Sequence, residues 1–397
     1  MSARELAALI RSRQLSAREV MSAFLNQIVR INPRINAIVA KLDDDQCLAL
    51  ADEADGRLAR GEEVGALHGL PFAFKDLDPA VGFPMTRGSA IFKNFMPSDD
   101  SVLVERLKCA GVIAIGKTNV SEFGMGSHTY NDVYGTTLNP YDLTKSAGGS
   151  SGGAGAALAA GLLPLASGSD LGGSLRNPAN FNNIVALRPT VGLVPSAPTA
   201  LPFLGFTVKG PMARSVDDVA FLLSAMAGAD GRDPAVYPCD PSLFTRPLER
   251  NFKNLRVAWS PDLGGLPLDR RVRSILDGQR KTFVALGCIV EEACPDLTGA
   301  DEIFRTLRAW NYWHTLGPLL EEHRDRMKPE AVWQIEAGRD LTGAAVANAM
   351  ARHGELMQRM HRFHQRYEFL LCAVNQLPPF DAELSWPREI DGVKMTD

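Results

Sequence analysis

The sequence predicts an α/β fold built on a largely parallel central sheet that helices cover on both faces. From about residue 67 onward, short apolar runs alternate with amphipathic segments, and this alternation is typical of a parallel sheet. Hydrophobic residues make up 45% of the 397-residue chain and charged residues 22%, the composition of a globular protein with a sizeable core. Since no internal repeat, low-complexity tract or linker divides the chain, we predict one large domain over residues 1–397.

The predicted elements follow in chain order. Two amphipathic helices open the chain, and Ser16 with Glu19 three residues later forms a capping box for the second helix. The strand in LHGLPFAFKD is followed by the helix SVLVERLKCAG, which ends at Gly111, and by the buried strand VIAIGKT. A helix of very small residues, GAGAALAAG, and a strand in LLPLASGSD come next.

The second half of the chain repeats this pattern. LRVAWSPD, VRSILDGQRKTFVALG and CIVEEA predict a strand, a helix and a strand. Residues 300–366 are mainly helical and contain a cluster of aromatic residues that begins at Trp310. FLLCAV at 369–374 predicts an interior strand, whereas the polar, turn-rich tail after it predicts no further strand.

Charge and cysteine content exclude several classes of function. The net charge of −4 and the scattered lysines and arginines argue against a nucleic-acid partner. The six cysteines show neither a CxxC pair nor metal-ligand spacing. The N-terminus lacks the apolar core of a signal peptide, and the most apolar stretch, residues 154–166, is too short to span a bilayer. We therefore expect a cytoplasmic protein with no nucleic-acid or membrane partner; a homodimer is compatible with the sequence.

Two motif matches fail on their structural context. GVIAIGKT fits the phosphate-loop pattern, but a helix precedes Gly111 and strand-forming residues fill the turn, so a buried strand is the better interpretation. GGSSG at 148–152 fits the nucleophile elbow GxSxG, but a turn-rich loop rather than a strand precedes Ser150. The later histidines lie in helical, mostly charged surroundings, so the elbow is kept only as an alternative.

Two glycine–serine clusters, AGGSSGG at 147–153 and GSDLGGSLR at 168–176, are the candidates for chemistry. The second cluster follows an apolar strand, and Gly172 and Gly173 let successive N–H groups point the same way before Ser174. That arrangement is suited to an oxyanion hole beside a serine nucleophile. A tight turn that merely favours Gly and Ser explains one such loop, but two of them favour a shared function.

A serine nucleophile needs a base, and Lys75 is a candidate because it closes the apolar strand PFAFK. Burial there would lower its pKa towards neutrality, which a lysine needs before it accepts a proton. The alternative is a lysine whose stem lies along the end of the strand while its charge stays in water.

Together these segments resemble the amidase signature hydrolases. The resemblance covers KD at 75–76, GKTNVSEFGMGSHTYN at 116–131, SAGGSSGGAGAALAAG at 146–161, SGSDLGGSLRNPANF at 167–181 and ALRPTVGLVP at 186–195. It continues more loosely to about residue 375. It implies a single α/β/α domain with a mixed, largely parallel central sheet, the amidase signature fold.

The resemblance also implies roles for the serines. Ser174 aligns with the acyl-enzyme nucleophile, and Ser150 with the bridging serine that passes its proton to Lys75. In the family, the peptide bond before this bridging serine is cis. The implied oxyanion hole consists of the amides of Leu171, Gly172, Gly173 and Ser174.

Supporting positions follow from the same resemblance. Ser151 is expected to be a helix N-cap whose hydroxyl satisfies the first N–H groups, while Asp170 and Arg176 brace the nucleophile loop. The residues expected to border the substrate cleft are Met125, Gly126, Ser127 and Tyr130. Residues 300–366 either cover this cleft or form a helical core of their own.

The implied activity is that of a cytosolic amidase, which converts a linear carboxamide and water into a carboxylate and ammonia or an amine, with no metal or organic cofactor. One alternative is the A-type subunit of a tRNA-dependent amidotransferase, although Leu171 in place of threonine and the segment RPTVGLVPSAP argue against it. Another is an inactive protein that keeps the fold. Because family members usually run well past Asp397, we expect these 397 residues to lack the C-terminal strands of the domain.

Overall fold

The computed structural model describes residues 1–396, which group into two compact units. The first unit comprises Met1–Pro247 and Pro379–Trp386, and the second comprises Leu248–Pro378 and the residues from Pro387 onward. The α/β class is confirmed, since helices and mixed sheets make up the structure. Whether the chain is one domain stays a prediction. Among the described helices, none has both the length and the apolar character that crossing a membrane requires.

The first unit contains the predicted helices and strands of the N-terminal half. Its helices are α1 (Ala3–Arg11), α2 (Ala17–Ile35), α3 (Asp44–Ala59), α4 (Val102–Cys109), α5 (Gly152–Ala159), α6 (Arg176–Phe181) and α7 (Val216–Met226). Its strands are β1 (Ile38–Val39), β2 (Pro71–Lys75), β3 (Ile113–Thr118), β4 (Leu138–Asn139), β5 (Asp142–Ser146), β6 (Ala166–Asp170), β7 (Val185–Ala186) and β8 (Val208–Ala213).

Local signals explain where the first helices begin. The predicted capping box of α2 is confirmed, because the Ser16 hydroxyl accepts from the Glu19 N–H and the Glu19 carboxylate accepts from the Ser16 N–H. Ser2 and Glu5 form a second capping box at α1.

Parallel pairing is confined in this unit to β2 and β3, whose register places Lys75 opposite Thr118. The other pairs are antiparallel: β1 with β3, β4 with β5, and β8 with both β6 and β7. Strands β2 and β6 are buried along their whole length, which explains their lack of strict polar alternation. The ends of these two strands carry the candidate site.

Helix α5 lies against β3 because its first turn consists of glycine. A Cβ atom at Gly153 would lie 2.3 Å from the main-chain nitrogen of Asn119, the residue that follows β3. Only glycine permits this approach, and it holds the start of α5 beside the ends of β2 and β3.

The second unit repeats the predicted strand–helix–strand pattern. Its strands are β9 (Arg256–Trp259), β10 (Ile289–Glu292), β11 (Phe369–Leu371), β12 (Glu389–Ile390) and β13 (Val393–Lys394), and its helices are α8 (Arg270–Ala285), α9 (Ala300–His323), α10 (Pro329–Glu336) and α11 (Gly343–His364). Strand β9 is central and pairs in parallel with β10 and β11. In the helical region, the Trp313 ring lies against Gly317 and below the Arg339 guanidinium, which favours a packing role for this aromatic residue.

Two predictions about the tail are wrong. FLLCAV does not form an interior strand, because β11 pairs only with β9 and lies at an edge of the three-stranded sheet. The residues after it do contain strands, since β12 and β13 form an antiparallel hairpin. Its turn is Asp391–Gly392, both with positive φ, and Asp-Gly is a strong sequence signal for a two-residue hairpin turn.

Candidate active site

Lys75 lies at the carboxyl end of β2, inside the first unit. All five residues of this strand are buried, and the Lys75 side chain is fully buried with them. The alternative in which its amine stays in water is therefore wrong. A buried amine must find hydrogen-bond acceptors or give up its charge.

Three serine hydroxyls surround the Lys75 amine. Nζ lies 2.9 Å from Ser150 Oγ, 2.8 Å from Ser151 Oγ and 2.9 Å from Ser169 Oγ. The main-chain carbonyl of Ser169 lies 3.4 Å away. A neutral amine has two N–H donors and one lone pair, so in this cage it can accept a proton from one hydroxyl while it donates to the others.

Burial lowers the pKa of Lys75 to about 7, and the positive charge of Lys209 lowers it further. The carboxylates of Asp78 and Asp170 act in the opposite direction. Near neutral pH, a substantial fraction of this amine is therefore uncharged and able to act as a base.

The AGGSSGG loop delivers two of these hydroxyls. Gly148 has a φ of +74°, and the peptide bond between Gly149 and Ser150 is cis, as the family resemblance implied. Among the described residues, the Ser150 hydroxyl bonds only to the Lys75 amine.

Ser151 occupies the N-cap position of α5 but does not cap it with its hydroxyl. The Gly152 N–H instead donates to Thr129 Oγ1 at 3.0 Å, and the Gly153 N–H donates to the Asn119 carbonyl at 3.2 Å. The expected capping hydrogen bond is therefore wrong, because the Lys75 amine engages this hydroxyl.

Asp170 braces the nucleophile loop from below. Its buried carboxylate accepts from the N–H groups of Gly173 at 2.9 Å and Leu175 at 3.1 Å, and from the Arg176 guanidinium at 3.0 Å. Arg188 donates to its main-chain and side-chain oxygens. Burial alone would raise the pKa of Asp170, but these hydrogen bonds and charges hold it at about 2, so the carboxylate stays ionised.

This brace divides the four amides that the sequence assigned to the oxyanion hole. The Gly173 N–H is engaged by Asp170. The N–H groups of Leu171, Gly172 and Ser174 donate to no residue among 1–396. Gly172 is exposed, and Leu171 and Ser174 are partly exposed, so a ligand can reach these three donors.

Ser174 is held next to the serine cage through its backbone. Its carbonyl accepts from the Ser151 N–H at 3.2 Å, but its hydroxyl makes no hydrogen bond within the described part of the chain. The structure therefore joins Lys75, Ser150 and Ser151 directly and brings Ser174 alongside them without a hydroxyl–hydroxyl bond to Ser150.

The segment predicted to border the cleft runs beside Ser150. A Cβ atom at Gly124 would lie 3.5 Å from Ser150 Oγ. In this segment, Met125 is buried, Gly126 has a φ of +86°, Ser127 Oγ accepts from Asn177 Nδ2 at 2.9 Å, and the Tyr130 ring lies 5.0 Å from that of His128. Asn177 lies three residues after Ser174, so this contact ties the segment to the nucleophile loop.

The nucleophile-elbow alternative lacks a histidine at Ser150. His128 is the histidine of the cleft segment, and its ring nitrogens lie 2.7 Å from Ser146 Oγ and 2.9 Å from the Ala382 carbonyl. Since the Ser150 hydroxyl bonds to lysine, the elbow interpretation loses its base.

Sequence reasoning missed Ser169. This residue is buried at the end of β6 and contributes both a hydroxyl and a carbonyl to the Lys75 amine. Its position immediately before the bracing Asp170 was the available signal. Within the described residues, no cluster of three or more His, Cys, Asp or Glu side chains is arranged to hold a metal ion.

The fold and the serine–lysine arrangement define the class of an amidohydrolase. The sequence profile of the family described as Amidase matches residues 19–388, so the chain belongs to the amidase family. It is 35% identical to an acylamidase of Rhodococcus erythropolis over 404 residues, covering 100% of this chain and 83% of that protein. It is 39% identical to the A-type subunit of the glutamyl-tRNA(Gln) amidotransferase of Thermosynechococcus vestitus over 71% of this chain, which is only 59% of that protein. A bacterial aryl acylamidase structure superposes with a TM-score of 0.91 at 27% identity, covering 100% of this chain and 85% of that one.

Proposed function

We propose that this chain hydrolyses a carboxamide through an acyl-enzyme on Ser174, with Ser150 and Lys75 as the proton relay. The observation that carries the proposal is the 2.9 Å hydrogen bond between the Ser150 hydroxyl and a buried lysine whose pKa lies at about 7. A base poised near neutral pH is what activation of a serine hydroxyl requires.

In the proposed first half-reaction, Ser174 Oγ attacks the carbonyl carbon of the amide. Its proton passes to Ser150 Oγ, whose own proton passes to Lys75 Nζ. The free N–H groups of Leu171, Gly172 and Ser174 stabilise the negative oxygen of the tetrahedral intermediate, while Gly173 holds the turn through Asp170. The C–N bond then breaks, and the lysine ammonium returns the proton through Ser150 to the leaving nitrogen.

The second half-reaction runs through the same residues. Water attacks the acyl–Ser174 ester, the relay takes its proton, and collapse of the intermediate releases the carboxylate and restores the Ser174 hydroxyl. Because two serines and one lysine complete both steps, the proposed chemistry uses no metal or organic cofactor.

For the substrate we propose an acylated amine, since acylamidases are among the similar proteins. Met125, Gly126, Ser127 and Tyr130 would border the bound acyl group. An amidotransferase A-type activity is the second candidate, favoured by the identity to proteins of that name. Leu171 and the segment after Arg188-Pro189-Thr190 argue against this second candidate.

A panel of anilides, aliphatic amides and amino-acid amides tests the proposal. We expect at least one to release amine and carboxylate in equal amounts, with a transient acyl adduct on the peptide that contains Ser174, detected by mass spectrometry after an acid quench. An adduct on another residue would contradict the mechanism. Turnover of glutamine alone, and only with a co-purifying partner, would favour the amidotransferase.

The pH dependence follows from the pKa of Lys75. Below about pH 7 the amine is protonated and cannot accept the Ser150 proton, so kcat/KM is expected to rise with pH and level off above about pH 8. This limb reports the Lys75–Ser150 pair rather than lysine alone. Initial rates on one amide across the pH range measure it, and a maximum near about pH 5 would contradict a lysine base.

A further inference from the structure

Behind the serine cage, an ion pair joins the strand next to Ser169 to the turn that follows Lys75. Lys209 on β8 lies directly opposite Ser169 on β6 in the antiparallel register. Residues paired in this way project their side chains from the same face of a sheet. The ammonium of Lys209 therefore extends on the side where Ser169 meets Lys75, and it forms an ion pair with the Asp78 carboxylate.

Asp78 is part of the turn that holds Lys75. Its N–H donates to the Lys75 carbonyl at 2.9 Å, and its side chain is fully buried. One carboxylate oxygen takes the Lys209 ammonium, while the other is buried without a hydrogen-bond partner. Lys209 is thus the side chain that compensates this buried carboxylate, and the balance of charge beside Lys75 depends on the pair.

The other charged groups around Lys75 have their own partners. Asp76 accepts hydrogen bonds from the N–H and the hydroxyl of Thr86, and Lys117 on β3 donates to the main-chain carbonyl of Asp78. Asp170 on β6 is compensated by Arg176 and Arg188.

Helix α5 contributes the hydroxyls of Ser150 and Ser151, which carry no charge. Apart from burial, the positive charge of Lys209 is the largest influence that lowers the pKa of Lys75, and Asp78 is the largest that raises it.

We propose that Lys209 and Asp78 are positioning residues that set the protonation state of Lys75, and hence the pH range in which the relay works. Neither touches the substrate or the reacting atoms. This inference rests on the proposed function only for its effect on rates, because the effect on Lys75 itself exists without a substrate. The two residues carry opposite charges, so their removal acts on the lysine in opposite directions.

Lys209→Met and Asp78→Asn, compared with the wild type, test this. We expect the protonation midpoint of Lys75 to rise by about one pH unit in Lys209→Met and to fall in Asp78→Asn. Protein labelled with carbon-13 at the lysine ε-carbon reports this midpoint by NMR, and the Lys75 signal is assigned by its loss in Lys75→Arg. The rising limb of kcat/KM against pH should move in the same two directions.

Two controls separate charge from packing. Lys209→Arg keeps the positive charge and should restore the wild-type midpoint. Lys108→Met breaks another lysine–aspartate pair of the first unit, Lys108 with Asp100 at 2.8 Å, and should leave the Lys75 midpoint unchanged. If one test variant fails to fold, as judged by circular dichroism, the direction of shift in the other decides.

Shifts of the same sign in folded Lys209→Met and Asp78→Asn, or no shift in either, would overturn the inference. Opposite shifts in a protein that hydrolyses no amide would leave the inference standing and remove the proposed function. Unmoved midpoints in an active amidase would do the reverse.

Discussion

Replacement of Ser174 by alanine is expected to lower amide turnover by about 10⁴-fold or more, because the acyl-enzyme cannot form without its oxygen. The Leu171, Gly172 and Ser174 amides remain in this variant, so substrate binding should persist and the loss should fall on kcat. Steady-state kinetics on the best amide of the panel measure this. A fluorophosphonate probe, detected by intact mass, should add to the wild type and not to Ser174→Ala.

Ser167→Ala is the matched control for that loss. Ser167 lies in β6 two residues before Ser169, and its hydroxyl is buried without a hydrogen-bond partner. Removal of an unsatisfied hydroxyl costs little, so activity should stay within about twofold of the wild type. If Ser174→Ala is still labelled, at Ser150 or Ser151, the nucleophile lies in the other loop and the proposed roles are wrong.

The elements that the sequence predicted well are those with strong local signals. Ser16 and Glu19 define the start of α2 by themselves, and the buried runs PFAFK and IAIGKT are too apolar to lie at the surface. The hairpin of β12 and β13 was missed although Asp391–Gly392 marked it, because the two-residue strands around this turn carry little hydrophobic alternation.

The site was predictable as a set of residues but not as a geometry. The two glycine–serine clusters and Lys75 stand out by composition, and the family resemblance supplied their order. That Gly173 donates to Asp170, or that Ser169 contacts Lys75, depends on how the loop folds over a buried carboxylate. Side chains far apart in the sequence leave no local pattern for such contacts.

The pairing of Lys209 with Asp78 illustrates the same limit. It requires the register of β8 against β6, which places Lys209 opposite Ser169. A register is set by the packing of the whole sheet, and a shift of one residue would turn Lys209 to the opposite face. A lone lysine in VKGPMA gives no hint of this from the sequence.

Replacement of Lys75 by methionine is expected to lower kcat by about 10²- to 10⁴-fold, the usual contribution of a general base. Methionine fills the fully buried site with an unbranched side chain and cannot accept a proton, so the Ser150 hydroxyl loses its base while packing is kept. Circular dichroism should show a folded protein, and kcat should no longer rise with pH around pH 7, because the group that titrates to about 7 is gone.

Lys75→Ala provides the sharper control, because it leaves space among the hydroxyls of Ser150, Ser151 and Ser169. A small alkylamine that enters this space supplies a lone pair next to Ser150, so it should restore part of the turnover in Lys75→Ala but not in Lys75→Met, where the thioether chain occupies the site. Rescue should follow the neutral fraction of the amine and therefore increase with pH. Full activity of either variant without added amine would remove lysine from the mechanism. Rescue of both variants to the same extent would mean that the amine acts from solvent rather than from the position of Nζ.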